Sequence, residues 1–478
     1  MSTKNYLKKI SVWDADTARH ILSRALFGFT KNDVTFALTK TLDDFVDNYL
    51  LQDLTEPAAP QYNGADWVTL PHNSTNQPNY PLWFRSMLYW WYSLMLNQSY
   101  SLREKMVLFL HNHFVSEYGT VQVPQYMYIQ NKLFRQYAFG NFIELTKKVT
   151  IDPAMLIYLN GNVSTGSNPN ENYARELQEL FTLGIGNYTE DDIKNIAKAL
   201  TGWTVNNTNL VSVFNTNRRN NGTKTIYGIT NTFNDGVAAN YNVGPVIDLI
   251  FTEKPIPASE FLCRKLYKEF AYYEPNTDYV TQLAAVMRNN NFNLKPVLST
   301  MLKSEYFHSV DIRGARIKPT VEFLLSALKQ LGITYTNNDL PNYIRTTADS
   351  LQQSLFNPPD VRGWEGQRKW ISTITYPTRN VYTDALVNGK TINGVSYKMD
   401  VLTYARSYPS SEDAVQFIED VSKQLIQFPL SQARKDSLLS TLLDGTTVGN
   451  WSTYSPGADT RLQKFFKALM RLPEFQLS

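Results

Sequence analysis

The sequence predicts an all-α fold: a large multi-helix orthogonal array with long irregular loops and one small β-hairpin. Apolar residues recur three and four apart in segment after segment, the period of a helix that buries one face. A 13% aromatic content, with 29 Tyr and 25 Phe, supplies the bulk that fills interfaces between helices. Strand-like patterning is confined to one short run, "GTKTIYG", inside a polar stretch.

In chain order, the helical period marks "DADTARHILSRALFGF", "LREKMVLFLHNHF", "TEDDIKNIAKALTGW", "ASEFLCRKLYKEFAYY", "KPVLSTMLKSEYF", "KPTVEFLLSALKQLG" and "TRLQKFFKALMRLPEF". Thr189 with Asp192 three residues on, Gly184 after "LFTL", and Lys318-Pro319 supply start and stop signals. The stretches near 51–79, 205–246 and 372–395 lack helical period and read as polar connections, the first a long surface segment with Pro57, Pro60, Pro71 and Pro78. Candidate sub-lobes follow: N-terminal helices over 1–55, polar-motif helices over 80–204, an Asn-rich insertion over 205–250 and C-terminal helices over 251–478.

Charge and composition remove some functions. With 46 basic and 43 acidic side chains the formal charge is +3, and no Lys/Arg block creates the field that nucleic acid requires. The longest apolar run, "PLWFRSMLYWWYSLML", is broken by Arg85 and is shorter than the roughly 20 residues of a membrane span. The N-terminus lacks the apolar run of a secretory signal, so the sequence alone reads as cytoplasmic. Cys263, the only cysteine, reads as an inert core thiol.

Three groups carry candidate chemistry. In "NENYARELQELFTLG", Tyr173, Ala174, Leu177, Leu180 and Phe181 share the apolar face of a helix capped by Asn170. Glu171, Arg175 and Gln178 fall on one polar flank, where Glu171 and Arg175 can pair. Asn172, Glu176 and Glu179 form a stripe on the other flank, which needs a donor, a cation or a metal if a neighbouring helix encloses it. In "LFLHNHFVSEYG", His111 and His113 stand about 200° apart on a regular helix, so they reach one ion only if the chain extends at Asn112. In that case His111, His113 and Glu176 make an N,N,O set for a divalent transition metal; the ordinary alternative is a satisfied core histidine beside Phe109 and Phe114. In "LFNPPDVRGWEGQRKW", Arg362, Trp364, Arg368 and Trp370 form either a cation–π recognition surface or a loop anchored by its tryptophans.

Taken with "ARHILSRALFGFT", "IKPTVEFLLSALKQLG" and the closing "LMRLPEFQL", these blocks resemble the large bacterial domain-of-unknown-function 1800 family over nearly the whole chain. The resemblance implies a single domain over 1–478, polar motif positions at His111, Asn112, His113, Asn170, Glu171, Asn172, Arg175, Glu176 and Glu179, and relatives that are often exported. It also exposes departures. Arg219-Asn220 precede Gly222 and Lys224 where relatives tend to carry His-Asp, and Ile256-Pro257-Ala258-Ser259 stand for His-Pro-Ala-Thr.

The resulting expectation is a polar cleft resembling a metal-assisted or acid–base enzyme site, degenerate in this member. In it Glu176 is the base or ligand, His113 a ligand or proton carrier, Arg175 a supporting group and Lys224 an electrostatic partner. Asn172, Glu179, Asn112, Arg362 and Trp364 are its binding groups. The alternative is a non-catalytic binding or assembly protein of a bacterial cell-surface or multiprotein system, with a protein partner or glycan.

Overall fold

A computed structural model describes residues 4–97, 99–233, 243–335 and 337–478; part of the 205–250 stretch therefore lies outside the described residues. Twenty-two α-helices dominate among the described residues, accompanied by four two-stranded antiparallel sheets. All seven segments with a clear helical period are helices, among them Ala15–Ala25, Arg103–His113, Glu190–Ala199, Pro255–Phe270, Leu294–Lys303, Thr320–Gln330 and Ala458–Met470. Their apolar faces join one cluster that runs from Ala18 to Phe475 in sequence. Thr189 caps its helix through a reciprocal bond with Asp192, as the spacing predicts.

The β content exceeds the single hairpin expected. The "GTKTIYG" run does pair, Lys224–Ile226 with Ile229–Asn231, across a Tyr227-Gly228 turn whose φ values are 50° and 82°. Two further hairpins turn at Asn63-Gly64 and Asn393-Gly394 with the same left-handed pair, the turn type that matches strand twist. A fourth joins Trp203–Asn206 to Val211–Phe214.

The stretch 372–395 is a correction, because Thr375–Asn388 is a helix. Its buried face is Thr375, Arg379, Tyr382, Thr383, Leu386 and Val387, a regular helical stripe that is half polar. Arg379 is fully buried, with Nη2 donating to the Lys318 carbonyl at 2.9 Å. A charged group in a core position hides the period from any hydrophobicity reading.

Candidate functional site

The helix Glu171–Glu176 is capped by Asn170, whose side chain accepts the Asn172 N–H at 2.9 Å. It then continues as a π-helix over Leu177–Thr182. The wider turn slips the 100° wheel, so the expected flanks do not survive. Gln178 is completely buried and its Oε1 accepts the Tyr227 hydroxyl at 2.7 Å. Arg175 pairs not with Glu171 but bidentately with the exposed Glu190, both contacts at 2.8 Å. That hydrogen-bonded pair raises the Arg175 pKa further and ties the side chain to a surface carboxylate.

The stripe itself is only half-enclosed. Glu179 accepts the Tyr188 hydroxyl at 2.8 Å, and the Asn172 side chain lies at the surface. Glu176 is partly buried, and its pKa is raised by burial and by Glu179, against the opposing pull of Arg175 and Arg362.

The two histidines point apart, because Arg103–His113 stays helical to its last residue and no extended turn forms at Asn112. His111 Nε2 accepts the Phe356 N–H at 3.1 Å amid Trp91, Phe356 and Trp364, and burial pushes its pKa down to about 3. His113 Nε2 donates to the Phe181 carbonyl at 2.9 Å, and burial, with Lys265 nearby, holds the ring well below its ordinary range. Among the described residues no three His, Cys, Asp or Glu side chains gather to hold a metal ion, so the His111, His113 and Glu176 ligand set is not assembled. The Lys224 ammonium donates to the Asn220 and Thr232 carbonyls, and burial with Arg219 and Lys198 lowers its pKa to about 8. Arg219 clamps the Thr232 and Phe233 carbonyls at 2.8 and 3.0 Å.

Other expected residues do converge, on a cleft of about 390 Å³. One wall is a stripe of the Arg103–His113 helix: Lys105, Leu108, Phe109, Asn112 and His113, spaced as one helical face. Opposite it stand Lys265, Lys268 and Glu269 from Pro255–Phe270, and the loop with Arg362, Trp364 and Trp370 closes the mouth. Asn112 fastens that loop, accepting the Trp364 N–H at 2.7 Å and donating to its carbonyl at 3.2 Å. Gly363 is obligatory there, since a Cβ would sit 2.2 Å from Asn112 Oδ1 and φ is +80°. Of the two readings of this loop, the structure has the one anchored by its tryptophans: Trp364 and Trp370 are only 7% and 6% exposed, and among the described residues neither Arg362 nor Arg368 lies over them.

The floor of the cleft is a buried ion network. Glu322 accepts Lys105 Nζ and both its oxygens accept Arg316 Nη1, at 3.0 and 2.8 Å, while Arg316 Nη2 donates to Glu269 at 3.0 Å. Burial alone would raise the Glu322 pKa, but Arg316 and Lys105 hold it down at about 2. The rim differs, because Lys265, Lys268 and Arg362 have no carboxylate oxygen within 4 Å among the described residues. Lys265 Nζ donates to the Leu180 carbonyl at 2.8 Å and lies 4.9 Å from the Phe261 ring centroid. Burial, then repulsion from Lys268, pushes its pKa down to about 7. Helical spacing would allow Lys265 to pair with Glu269 four residues on, but the distant Arg316 takes that carboxylate instead.

Fold and cleft together describe a large helical protein with a cation-rimmed site. The chain belongs to the family described as "Protein of unknown function (DUF1800)", whose model matches residues 20–477. Neither the curated proteins nor the solved structures contain a match to it. No helix among the described residues is long and apolar enough to cross a membrane.

Proposed function

We propose that this protein binds a small anionic molecule, a carboxylate or phosphate, in the cleft between Asn112, Lys265 and Trp364. The observation that carries the reading is the half-buried Lys265 at the rim, which like the exposed Lys268 and Arg362 has no carboxylate oxygen within 4 Å among the described residues, beside a floor whose charges are already matched. Burying the Lys265 ammonium is costly unless an anion answers it, and a ligand anion would do so, with the exposed Lys268 and Arg362 adding charge at the mouth. Asn112, His113, Arg362 and Trp364 keep a place at this site, whereas Asn172, Glu176 and Glu179 belong to a neighbouring surface. The narrow exposure of Trp364 and Trp370 weighs against stacking of a sugar ring as the main contact.

Calorimetric titration with malonate and with inorganic phosphate tests the reading. Binding of at least one anion is expected, weakened about ten-fold or more in Lys265→Met, since a charge-assisted hydrogen bond contributes roughly 1.5–3 kcal/mol. Equal affinity in wild type and Lys265→Met, or no binding of either anion, would overturn it.

A further inference from the structure

We propose that Lys265 is a nucleophilic amine that forms an imine with small oxo acids, molecules carrying a carbonyl next to a carboxylate. The inference rests on the anion-binding reading of the cleft and adds a reaction to it.

Lys265 lines an open cleft large enough for a molecule of this size, and its stem packs on Phe261. Its nitrogen has one hydrogen-bond partner, the Leu180 carbonyl, which leaves the remaining valences free to face a ligand. No carboxylate pins it as an ammonium, and Lys268 adds a second positive charge nearby. An amine that is partly desolvated and set beside another cation is unprotonated for a useful fraction of the time near neutral pH, the condition for attack on a carbonyl.

A second, independent feature lies in the same wall. His113 is 2% exposed, its Nε2–H is committed to Phe181, and its buried Nδ1 has no hydrogen-bond partner. An orphaned acceptor costs energy until a donor arrives. The hydroxyl of a carbinolamine is such a donor once the cleft wall moves enough to uncover that nitrogen, which casts His113 as a positioning residue for the intermediate.

The chemistry balances without a further reagent. Arg362 and Lys268 hold the ligand carboxylate while the Lys265 nitrogen lone pair attacks the carbonyl carbon; the C–N bond forms as the C=O π bond opens, and one amine proton passes to the oxygen, giving a carbinolamine. The nitrogen then gives up its second proton to that oxygen as the C–O bond breaks, and the oxygen leaves as water, giving the C=N bond. No oxidation occurs.

The test incubates the full chain with pyruvate or glyoxylate and cyanoborohydride near pH 7.5, then maps lysine adducts by peptide mass spectrometry, with malonate binding measured in parallel. Labelling of Lys265 at least ten-fold above every other lysine, suppressed by excess malonate and lost in Lys265→Arg with malonate still bound, is the expected result. His113→Phe, compared with His113→Asn, separates positioning from packing: labelling falls in the first and is partly kept in the second. Adducts spread over exposed lysines while malonate still binds would overturn the imine and leave the anion site standing. Loss of malonate binding as well would overturn both.

Discussion

Replacing Glu322 by Gln removes the charge that holds the cleft floor together, and the structure sets the size of the effect. Lys105 and Glu322 are each 2% exposed and Arg316 is 3% exposed. Arg316 keeps Glu269 in direct contact after the change, but Lys105 keeps only the neutral amide oxygen at position 322, the Phe27 ring 4.9 Å from its nitrogen and the more distant charge of Glu269. Orphaning a buried charge costs about 3–5 kcal/mol, and here nearly all of it falls on Lys105. Urea unfolding of Glu322→Gln should therefore show a stability loss of about 3–5 kcal/mol. The double variant Lys105→Met/Glu322→Gln should recover most of that loss, because the stranded ammonium is gone. A single-variant loss below about 1 kcal/mol, or a double variant no better than the single, would refute the assignment of Lys105 as a cation dependent on one carboxylate.

Other perturbations have equally definite outcomes. His20, His111, His113 and His308 are buried with pKa values lowered chiefly by burial, so the stability they protect is complete above pH 6.5 and is lost as pH falls below it. Asp152, raised by burial to about 7, opposes this by keeping its proton in the folded state, but the four histidines outnumber it, so stability should fall as pH drops from 6.5 towards 5. Flat stability from pH 6.5 to 5 in denaturant titrations would contradict the buried neutral histidines. Gly363→Ala should cost about 1–3 kcal/mol through its left-handed φ and weaken malonate binding by shifting the Trp364 loop, whereas wild-type melting and affinity would disprove the close approach to Asn112. Glu176→Gln should leave malonate affinity unchanged and alter stability by less than about 0.5 kcal/mol, because the carboxylate is repelled by Glu179 and gains little from burial. A large loss of binding there would return Glu176 to the working site.

The sequence legibly encodes elements whose cores are apolar. Ala15–Ala25 and Ala458–Met470 repeat Ile, Leu and Phe at helical spacing, and the 200° separation of His111 and His113 correctly forbids a shared ligand on a regular helix. What was illegible depends on polar groups that tertiary structure buries. Arg379 conceals a helix, the π-turn after Glu176 carries Gln178 into the core, and Arg316 diverts Glu269 from Lys265. The Asn-Gly pairs at 63–64 and 393–394 carry the hairpin signal for two further turns, but strands of two and three residues are too short to show an alternating pattern beside them. The site was half legible for the same reason: Asn112, His113, Arg362 and Trp364 stood in recognisable polar motifs, while Lys265 looked like an ordinary member of a packed helix.

The most direct test of the cleft as an anion site is the pH dependence of malonate binding by calorimetry, between pH 6.5 and 8.5, in wild type and Lys265→Met. Because the Lys265 ammonium loses its proton near pH 7, wild-type affinity should fall as pH rises through that value, and Lys265→Met should bind weakly at every pH with no such transition. Two identical, pH-independent affinities would show that Lys265 does not meet the anion and would contradict the account.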